Sequence, residues 1–424
     1  FTSGRVRRVK AANSHINPFP LVSQKMITIS SYIHRDSLRD LIQRWMYGDA
    51  RHTDGDELMQ LVYLNNAYVS RYLTAFSEEI FQRFHPHALQ VRKTRLKSDL
   101  KDVIVTNVPY RNARVDEMLH GYRSRPELYF RETPFHGTLY FSGRSDGPCY
   151  IGSNRIKRVR RLAEKSARRI IDRMFATIKR RAEALAEDRA RHRGISREQL
   201  ITPPEDMIVE FQKAESRLLD DLRQGRPIQD ADGLVIQDVA GLKVIVEEAD
   251  RSRFMDLISS QKSCEVIETE THVGRYNAVN LIVRLRPDRE RIASKPLGER
   301  LTQVMQMRGV DPDAANRRFR QFVLSGEDSV NLEVILSGYQ EMLESEIGRC
   351  MHEDRIIRQR LAQQYTGQLA CNIEYLMGYL FMLPASNRRE LEETPIKLWH
   401  RYLPDYFDDV IKRLFNIPSV EVLE

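Results

Sequence analysis

The chain has 424 residues, 41% of them hydrophobic and 30% charged, which predicts two or three folded domains and excludes a wholly disordered chain or a collagen-like fibre. No stretch approaches the ~18 apolar residues that cross a bilayer, and no apolar segment follows the basic first ten residues, so we predict neither a membrane protein nor a signal peptide. Four widely spaced cysteines without a CxxC pair provide neither a zinc ribbon nor a dense disulfide framework, and with 13 methionines they are typical of a cytoplasmic protein. The net charge of +8 is modest for this length.

The N-terminal region, residues 1–152, is predicted to be a mainly helical domain that contains a β-hairpin. Helical spacing recurs through residues 37–48, 56–84 and 113–123. Residues 103–108 (VIVTNV) are predicted to form a short strand. Residues 127–132 and 138–143 are predicted to form the hairpin, with a third strand at 148–152. The segment RLKSDLKD (95–102) lies far upstream of the other candidate site residues and is not assigned to the site.

Residues 153–202 are predicted to form a long basic helix and a linker that ends at Pro203-Pro204. Residues 154–193 contain 15 Lys/Arg and five Asp/Glu, so this segment carries the positive charge of the whole chain. Ser153 and Asn154 are candidate N-caps. Apolar residues recur with helical spacing and form one stripe: Ile156, Val159, Ala163, Ala167, Ile170, Met174, Ile178 and Leu185.

The cations of this helix fall largely on its other faces, where they are candidates for contact with the phosphates of a nucleic acid or a polyphosphate. The candidate residues are Arg155, Arg158, Arg161, Lys165, Arg168 and Arg169. The alternative is a solvated helix face whose arginine stems cover apolar surface.

Strand and helix patterns alternate from residue 203 to 345, which predicts an α+β domain with a mixed β-sheet and flanking helices. Strands are predicted at 207–211, 234–248, 264–273, 276–285 and 330–336. A helix is predicted at 214–225, another at 249–261, and two more precede the last strand. Residues 346–424 are predicted to be helical, either packing on the core or forming the interface of a homo-oligomer.

Three pieces of this alternating segment carry a resemblance to a known family. Asp238-Val239-Ala240-Gly241-Leu242-Lys243 resembles D-[IL]-x-G-[IV]-R, 276–280 (YNAVN) resembles G-Y-x-S-L-H, and 333–336 (EVIL) resembles E-V-Q-I-R-T. These are motifs of the synthetase domain of the RelA/SpoT-homology family, the alarmone pyrophosphokinases. Lys213 and Ser216 are the nearest matches to a further pattern, R-x-K-x-x-x-S-x-x-x-K. The resemblance implies a nucleotidyltransferase-like fold.

The chain also departs from the family pattern. Ile267 stands where the family has an acidic residue, and Ser337-Gly338 replace the Arg-Thr of the last motif. Asn280 replaces the final His, and the segment between the last two strands is longer than is usual in the family. These differences weigh against ordinary alarmone synthesis.

The residues and the resemblance together predict a site on one face of the sheet. Alternation along the last strand points Glu333 away from the buried side, and Glu268 and Glu270 share one face of the 264–273 strand. We predict Glu333, Glu268 and Glu270 as catalytic residues, with Glu333 and Glu268 holding Mg²⁺. The alternative is that alternating glutamates mark a solvent face.

The nucleotide-binding residues predicted beside these carboxylates are Tyr276, Lys213, Lys243, Arg275 and Asn280. As the resemblance implies, Tyr276 would stack on a purine; it is equally typical of a half-buried strand aromatic. The lysines and Arg275 would meet phosphate oxygens. Asp238 is either part of the site or a structural cap.

Two functions follow from these assignments. One is an Mg²⁺-dependent transfer of pyrophosphate from ATP to a guanine nucleotide or an RNA 3′ end, the RNA acceptor being suggested by the basic helix. The other is a nucleotide- or RNA-binding protein with the same fold and eroded catalytic residues. A purely structural role for the helices is the third alternative.

Overall fold

The computed structural model describes residues 27–144, 147–228, 233–274 and 276–418. The fold is α+β, with a mixed sheet flanked by helices. The strands are β1 (Ile27–Ile29), β2 (Leu89–Leu96), β3 (Pro134–Arg144), β4 (Gly147–Ile156), β5 (Leu234–Ile236), β6 (Ala240–Ile245), β7 (Cys264–His272), β8 (Ala278–Leu285) and β9 (Val330–Ser337).

The helices before the middle of the chain are α1 (Arg35–Met46), α2 (Asp54–Met59), α3 (Asn65–Phe84), α4 (Lys97–Thr106), α5 (Ala113–Ser124), α6 (Val159–His192) and α7 (Pro204–Arg223). Those that follow are α8 (Arg251–Ser259), α9 (Arg289–Ala293), α10 (Glu299–Met307), α11 (Pro312–Ser325), α12 (Tyr339–Glu346), α13 (His352–Leu361), α14 (Gln368–Met382) and α15 (Pro404–Leu414). A short π-helical segment, Gln60–Leu64, joins α2 to α3. No helix within the described ranges is both long and apolar enough to cross a membrane.

One seven-stranded sheet, in the order β2-β3-β4-β6-β9-β8-β7, runs through most of the chain. Only β6 and β9 are parallel neighbours in it; every other neighbouring pair is antiparallel. The boundary predicted between residues 152 and 153 falls inside β4. Backbone hydrogen bonds therefore join the predicted N-terminal domain directly to the predicted core.

The two faces of the sheet are covered differently. On one face, the alternating residues Val330, Leu332, Val334 and Leu336 of β9 are buried in the larger hydrophobic core, as the period of two predicts. Helices α3 and α8 pack on this face. On the other face, α4, α5 and α12 form a second core over β3 and β4. The remaining part of that second face, over β6, β9 and β8, borders the cavities described below.

Several elements differ from the prediction. Residues 103–106 continue α4 and are not a strand, because Val103, Ile104 and Val105 are all buried on a short helix rather than alternating. Residues 207–211 lie inside α7, whose buried residues Ala214, Leu218 and Leu222 recur every four positions.

The true hairpin is β3 with β4. Ser153 and Asn154 lie in β4 and cap no helix, because α6 begins at Val159. The predicted strand 234–248 is divided into β5 and β6.

Other elements are confirmed. Strands β7 and β8 pair antiparallel as a hairpin, and β9 follows where it was predicted. The predicted apolar stripe of the basic helix is buried at Ala163, Ala167, Ile170, Met174 and Ile178, where α6 packs against α14 and α7. The C-terminal region is helical, from α12 to α15.

Candidate functional site

Strand register brings the polar residues of the second sheet face into two rows. One row crosses the sheet through Arg155 on β4, Gly241 on β6, Glu333 on β9, Ile282 on β8 and Glu268 on β7. The next row contains Ser153, Lys243, Ile335, Asn280 and Glu270 in the same strand order. Residues paired across neighbouring strands point to the same face, so these side chains share one surface.

A cavity of about 740 Å³ lies over the middle of this surface, and we call it the Glu333 cavity. It contains four of the predicted site residues, Glu333, Tyr276, Lys243 and Asn280, together with Arg155 of the basic segment. The other wall comes from the N-terminus of α4 and from residues 345–358, which include Glu346 and His352. Four of the predicted site residues therefore line one cavity, and the sequence did not predict the residues of its second wall.

Some predicted site residues lie elsewhere. Lys213 is exposed on α7, and Glu268 and Glu270 are exposed on the edge strand β7, so none of the three lines the Glu333 cavity. Glu268 is separated from Glu333 by Ile282 of the intervening strand, which places their Cα atoms about 10 Å apart. Arg275 lies outside the described residues.

The predicted magnesium site therefore contains a single carboxylate. The carboxylate of Glu333 lies 3.8 Å from the guanidinium of Arg155. The carboxylates of Asp238 and Glu346 are each paired with lysines. No group of three or more His, Cys, Asp or Glu among the described residues is placed to hold a metal ion. This donor set does not fit a divalent cation held by the protein alone. Magnesium binding therefore stays a prediction from the sequence.

A second cavity, of about 520 Å³, adjoins the first, and we call it the basic cavity. All six predicted phosphate-contacting residues line it: Arg155, Arg158, Arg161, Lys165, Arg168 and Arg169. Its lining comprises ten Lys/Arg and four Asp/Glu, so its potential is strongly positive. The two cavities share six lining residues: Lys97, Phe135, Arg155, Asp238, His352 and Arg355.

Three guanidinium groups of the basic cavity have no hydrogen-bond or ion-pair partner in the described part of the chain, although the carboxylate of Glu164 acts on Arg158 at longer range. The side chains of Arg158, Arg168 and Arg169 form neither a hydrogen bond nor an ion pair with any described residue, although Arg158 and Arg168 are half-buried. Burial, followed by repulsion from Arg161 and Arg160, lowers the pKa of Arg158. Concentrated cations without partners in a concave site are the arrangement that an anionic ligand stabilises.

Asp238 lies between the two cavities, where Lys157 and Lys165 hold it. Their ammonium nitrogens lie 2.5 and 2.7 Å from its two carboxylate oxygens. Burial alone would raise the pKa of Asp238, but the two lysines more than reverse this and leave it below the usual range. Burial lowers the pKa of Lys157 to about 8. Asp238 lines both cavities, so its position is consistent with the first of the two roles left open by the sequence.

Glu346, at the end of α12, holds two lysines of the Glu333 cavity. Its carboxylate lies 2.5 Å from Lys97 Nζ and 3.5 Å from Lys243 Nζ, and the Lys243 ammonium also donates to Ser345 Oγ at 2.6 Å. Burial alone would raise the pKa of Glu346, but the lysines more than reverse this, so the carboxylate is ionised. Burial lowers the pKa of Lys243 to about 8 in spite of Glu346.

The polar groups at the other end of the Glu333 cavity suit a heteroaromatic base. Tyr276 is half-buried, and burial raises the pKa of its hydroxyl to about 12, so the ring is neutral. Asn280 Nδ2 lies 3.0 Å from His272 Nε2, while Asn280 Oδ1 is buried without a hydrogen-bond partner among the described residues. A buried acceptor without a partner is costly unless a donor fills its place. Burial also lowers the pKa of His352 to about 2, so that imidazole is neutral.

Several site residues were missed by sequence reasoning, above all Lys97, Lys157, Glu346 and His352. Lys97 lies in the segment 95–102 that had been set aside because it is far upstream; the pairing of β2 with β3 brings it back to the cavity. The sequence does contain a pattern from which Lys157 could have been predicted. Arg155, Lys157 and Lys165 have the spacing R-x-K-x-x-x-S-x-x-x-K, with Arg161 in the place of the serine.

Comparison of the chain with protein-family models, with curated proteins and with solved structures finds no match. The function is therefore argued from the site alone.

Proposed function

We propose that this protein binds a nucleotide polyphosphate in the basic cavity, next to a nucleoside in the Glu333 cavity, on a RelA/SpoT-like nucleotidyltransferase fold. The observation that carries the proposal is the convergence of ten lysines and arginines on one concave site, three of them without a hydrogen-bond or ion-pair partner in the described ranges. A chain of phosphates supplies the missing negative charge at closely spaced positions.

The shape of the site favours a free polyphosphate or a strand end over the backbone of a nucleic-acid duplex. The basic residues of β4 and α6 line a cavity of about 520 Å³ and are not spread along an exposed helix face. A duplex is read from its surface by cations spaced along a groove, whereas a cavity of this size accepts one nucleotide.

The strand order also supports a RelA/SpoT-like fold. Strand β6 begins within the Asp238–Lys243 motif, β9 carries the Glu333 motif and pairs parallel with β6, and β8 begins within the Tyr276 motif. The R-x-K spacing at Arg155 then belongs to β4, next to β6, instead of to the segment around Lys213. All four motif segments thus meet at one pair of adjoining cavities.

Calorimetry with ATP tests the binding proposal. Arg168→Ala removes an uncompensated cation of the basic cavity, and we expect it to weaken ATP binding about ten-fold. The matched control is Arg191→Ala on the same helix; this side chain is 78% exposed and pairs with Asp188 outside the cavity. Equal ATP affinity in the wild type, Arg168→Ala and Arg191→Ala, or no ATP binding at all, would refute the proposal.

A second candidate function is transfer of pyrophosphate, favoured by the position of Glu333. Unlike Asp238 and Glu346, Glu333 forms no ion pair with a lysine of the described residues, and its one ion-pair partner among them is Arg155 at 3.8 Å. In the proposed step a ribose hydroxyl of the acceptor attacks the β-phosphorus of ATP. The bond from that phosphorus to the AMP oxygen breaks, AMP leaves, and Glu333 takes the hydroxyl proton.

Incubation with γ-³²P-ATP and Mg²⁺ tests this step, with GDP, GTP and bulk tRNA as separate acceptors. Label on one acceptor that disappears in Glu333→Gln, while ATP binding persists, supports the transferase. ATP binding without label on any acceptor supports a nucleotide-binding protein that does not catalyse transfer.

A further inference from the structure

A third cavity lies at the far end of the basic cavity, and we call it the Phe130 cavity. Its volume is about 730 Å³. It shares Thr133, Pro134, Arg158, Arg161, Glu353, Ile356 and Arg360 with the basic cavity and no lining residue with the Glu333 cavity. The three cavities therefore follow one another, with the phosphate-binding region in the middle.

The ring of Phe130 has no structural role in the hydrophobic cores. Phe130 is half-buried in the lining of its cavity, yet it is not among the side chains packed into either core, and it has no ring partner among the described aromatic residues. Ile356 and Ile357 add apolar surface to the same cavity. A half-buried aromatic ring of this kind is available to a flat ligand.

The backbone at Phe130 is strained and firmly held. Its φ of 51° and ψ of 36° lie in the left-handed region, which a bulky side chain rarely adopts. The neighbouring carbonyls are tied to α4: Lys101 Nζ donates to the carbonyl of Tyr129 at 2.5 Å, and Ser98 N donates to that of Arg131 at 3.0 Å. Strain that the surrounding contacts maintain is a recurrent feature of ligand sites.

The guanidinium of Arg158 lies where the Phe130 cavity meets the basic cavity, in which we propose that phosphates bind. Arg158 lines both the basic cavity and the Phe130 cavity, and it has no hydrogen-bond or ion-pair partner within the described ranges. A phosphate bound to Arg158 would lie at the boundary of the two cavities, with the Phe130 cavity next to the remainder of the ligand. Aromatic rings and arginine planes are the surfaces on which nucleobases stack.

We infer that the Phe130 cavity binds the base of the nucleoside triphosphate whose phosphates occupy the basic cavity. This inference rests on the proposed function and adds to it the site of the donor base, which is distinct from the Tyr276 site of the second nucleoside. Two nucleotides then bind at once, one base at each end of the phosphate-binding region.

Calorimetry with two probes, ATP and inorganic tripolyphosphate, tests the inference. The wild type is expected to bind ATP about ten-fold more tightly than tripolyphosphate, the size of one base–aromatic stack. Phe130→Gly removes the ring, and glycine suits the left-handed backbone, so the fold is retained. It should abolish the preference for ATP and leave tripolyphosphate affinity unchanged. Phe130→Tyr should keep the preference, and so should the control Leu128→Ala, a side chain 57% exposed on the same loop.

The outcomes separate this inference from the proposed function. Equal affinity of the wild type for ATP and tripolyphosphate overturns the inference while leaving phosphate binding intact. A preference for ATP that survives Phe130→Gly and is lost in Tyr276→Ala places the base on Tyr276 and also overturns it. If neither probe binds, the proposed function fails, and the inference fails with it.

Discussion

Lys243 and Lys157 make the electrostatics of the site sensitive to mildly alkaline pH. Burial lowers the pKa of each from its ordinary value of 10.5 to about 8, so both ammonium groups lose their protons as the pH rises through that value. Lys157 lines the basic cavity that we propose for the phosphates, and Lys243 lines the adjoining Glu333 cavity, so the loss of either positive charge lowers ATP affinity. The terminal phosphate of ATP stays ionised over this range and does not offset the loss.

We therefore predict that ATP affinity falls as the pH is raised from 7 to 9.5, with the midpoint near or somewhat above 8 because bound phosphate favours the protonated lysines. Calorimetry at constant ionic strength measures this directly. An affinity that stays constant over the range would show that neither lysine contacts the ligand.

The pH at which ATP affinity falls is expected to depend on Glu346. The carboxylate favours the charged form of Lys243, so its neutralisation in Glu346→Gln lowers the pKa of Lys243 further. We predict that the alkaline decline in ATP affinity moves to lower pH in Glu346→Gln. A loss of affinity that is uniform across the pH range would indicate a merely structural role.

Glu344→Gln is the matched control for this variant, two residues away on α12. Glu344 is similarly buried, but its ion pair is with Arg114, 2.5 Å away, and neither residue lines the Glu333 cavity. Its pH profile for ATP binding should follow the wild type. Thermal unfolding of both variants separates lost stability from lost affinity.

At the scale of the element, β3 approaches β4 so closely that only glycine fits at position 137. A Cβ at Gly137 would lie 2.3 Å from the carbonyl oxygen of Asn154 and 2.5 Å from the ring of Phe135, which lines two of the cavities. We predict that Gly137→Ala destabilises the protein by about 1–3 kcal/mol, because the strand or the ring must move.

Urea unfolding measures the free energy of unfolding of Gly137→Ala, and Gly298→Ala is the control variant. An added Cβ at Gly298 meets nothing within 4 Å, and its backbone conformation is open to alanine. Its free energy of unfolding should change by less than about 0.5 kcal/mol. Equal stability of the two variants would contradict the close packing of β3 on β4.

Sequence periodicity predicted the elements that have one buried face. The stripe on α6 and the alternation along β9 each continue through several periods, and each corresponds to a real buried surface. The strands predicted from short apolar runs at 103–108 and 207–211 were wrong. VIV at 103–105 is β-branched like a strand, but all three side chains are buried on a helix by tertiary packing. MIV at 207–209 is exposed, and it is helical as the first turns of α7, whose buried residues Ala214, Leu218 and Leu222 come later. Propensity over a few residues does not outweigh such packing.

The candidate site was predictable only where its residues lie on those strands. Glu333, Lys243 and Asn280 followed from motifs on β9, β6 and β8, and they line one cavity. Lys97 and Glu346 come from segments distant in sequence, and strand pairing alone brings them together. The basic residues were assigned to an open helix face, whereas Arg155 lies on β4, which turns the beginning of α6 into a cavity wall.

At the scale of the whole molecule, the site depends on regions that the sequence divided into separate domains. Strands β2, β3 and β4 extend the sheet beyond β6, and α3 supplies much of the core beneath it. A fragment that begins at residue 203 would leave β6 as an unpaired edge and expose that core. We predict that residues 203–418 alone do not fold, whereas residues 27–418 do.

Circular dichroism with thermal unfolding distinguishes the two outcomes. The full range should unfold in a cooperative transition, and the fragment should show none. Cooperative unfolding of the fragment would establish residues 203–418 as an independent domain and would contradict the continuous sheet.

The central claim is that the cavity between Glu333 and Phe130 binds phosphate groups, and the most direct measurement is a crystal structure with a non-hydrolysable ATP analogue. We predict electron density for the triphosphate against Arg158, Arg168 and the lysines that hold Asp238. Triphosphate density at any other surface, or an empty basic cavity under conditions where calorimetry shows the analogue bound, would contradict the claim.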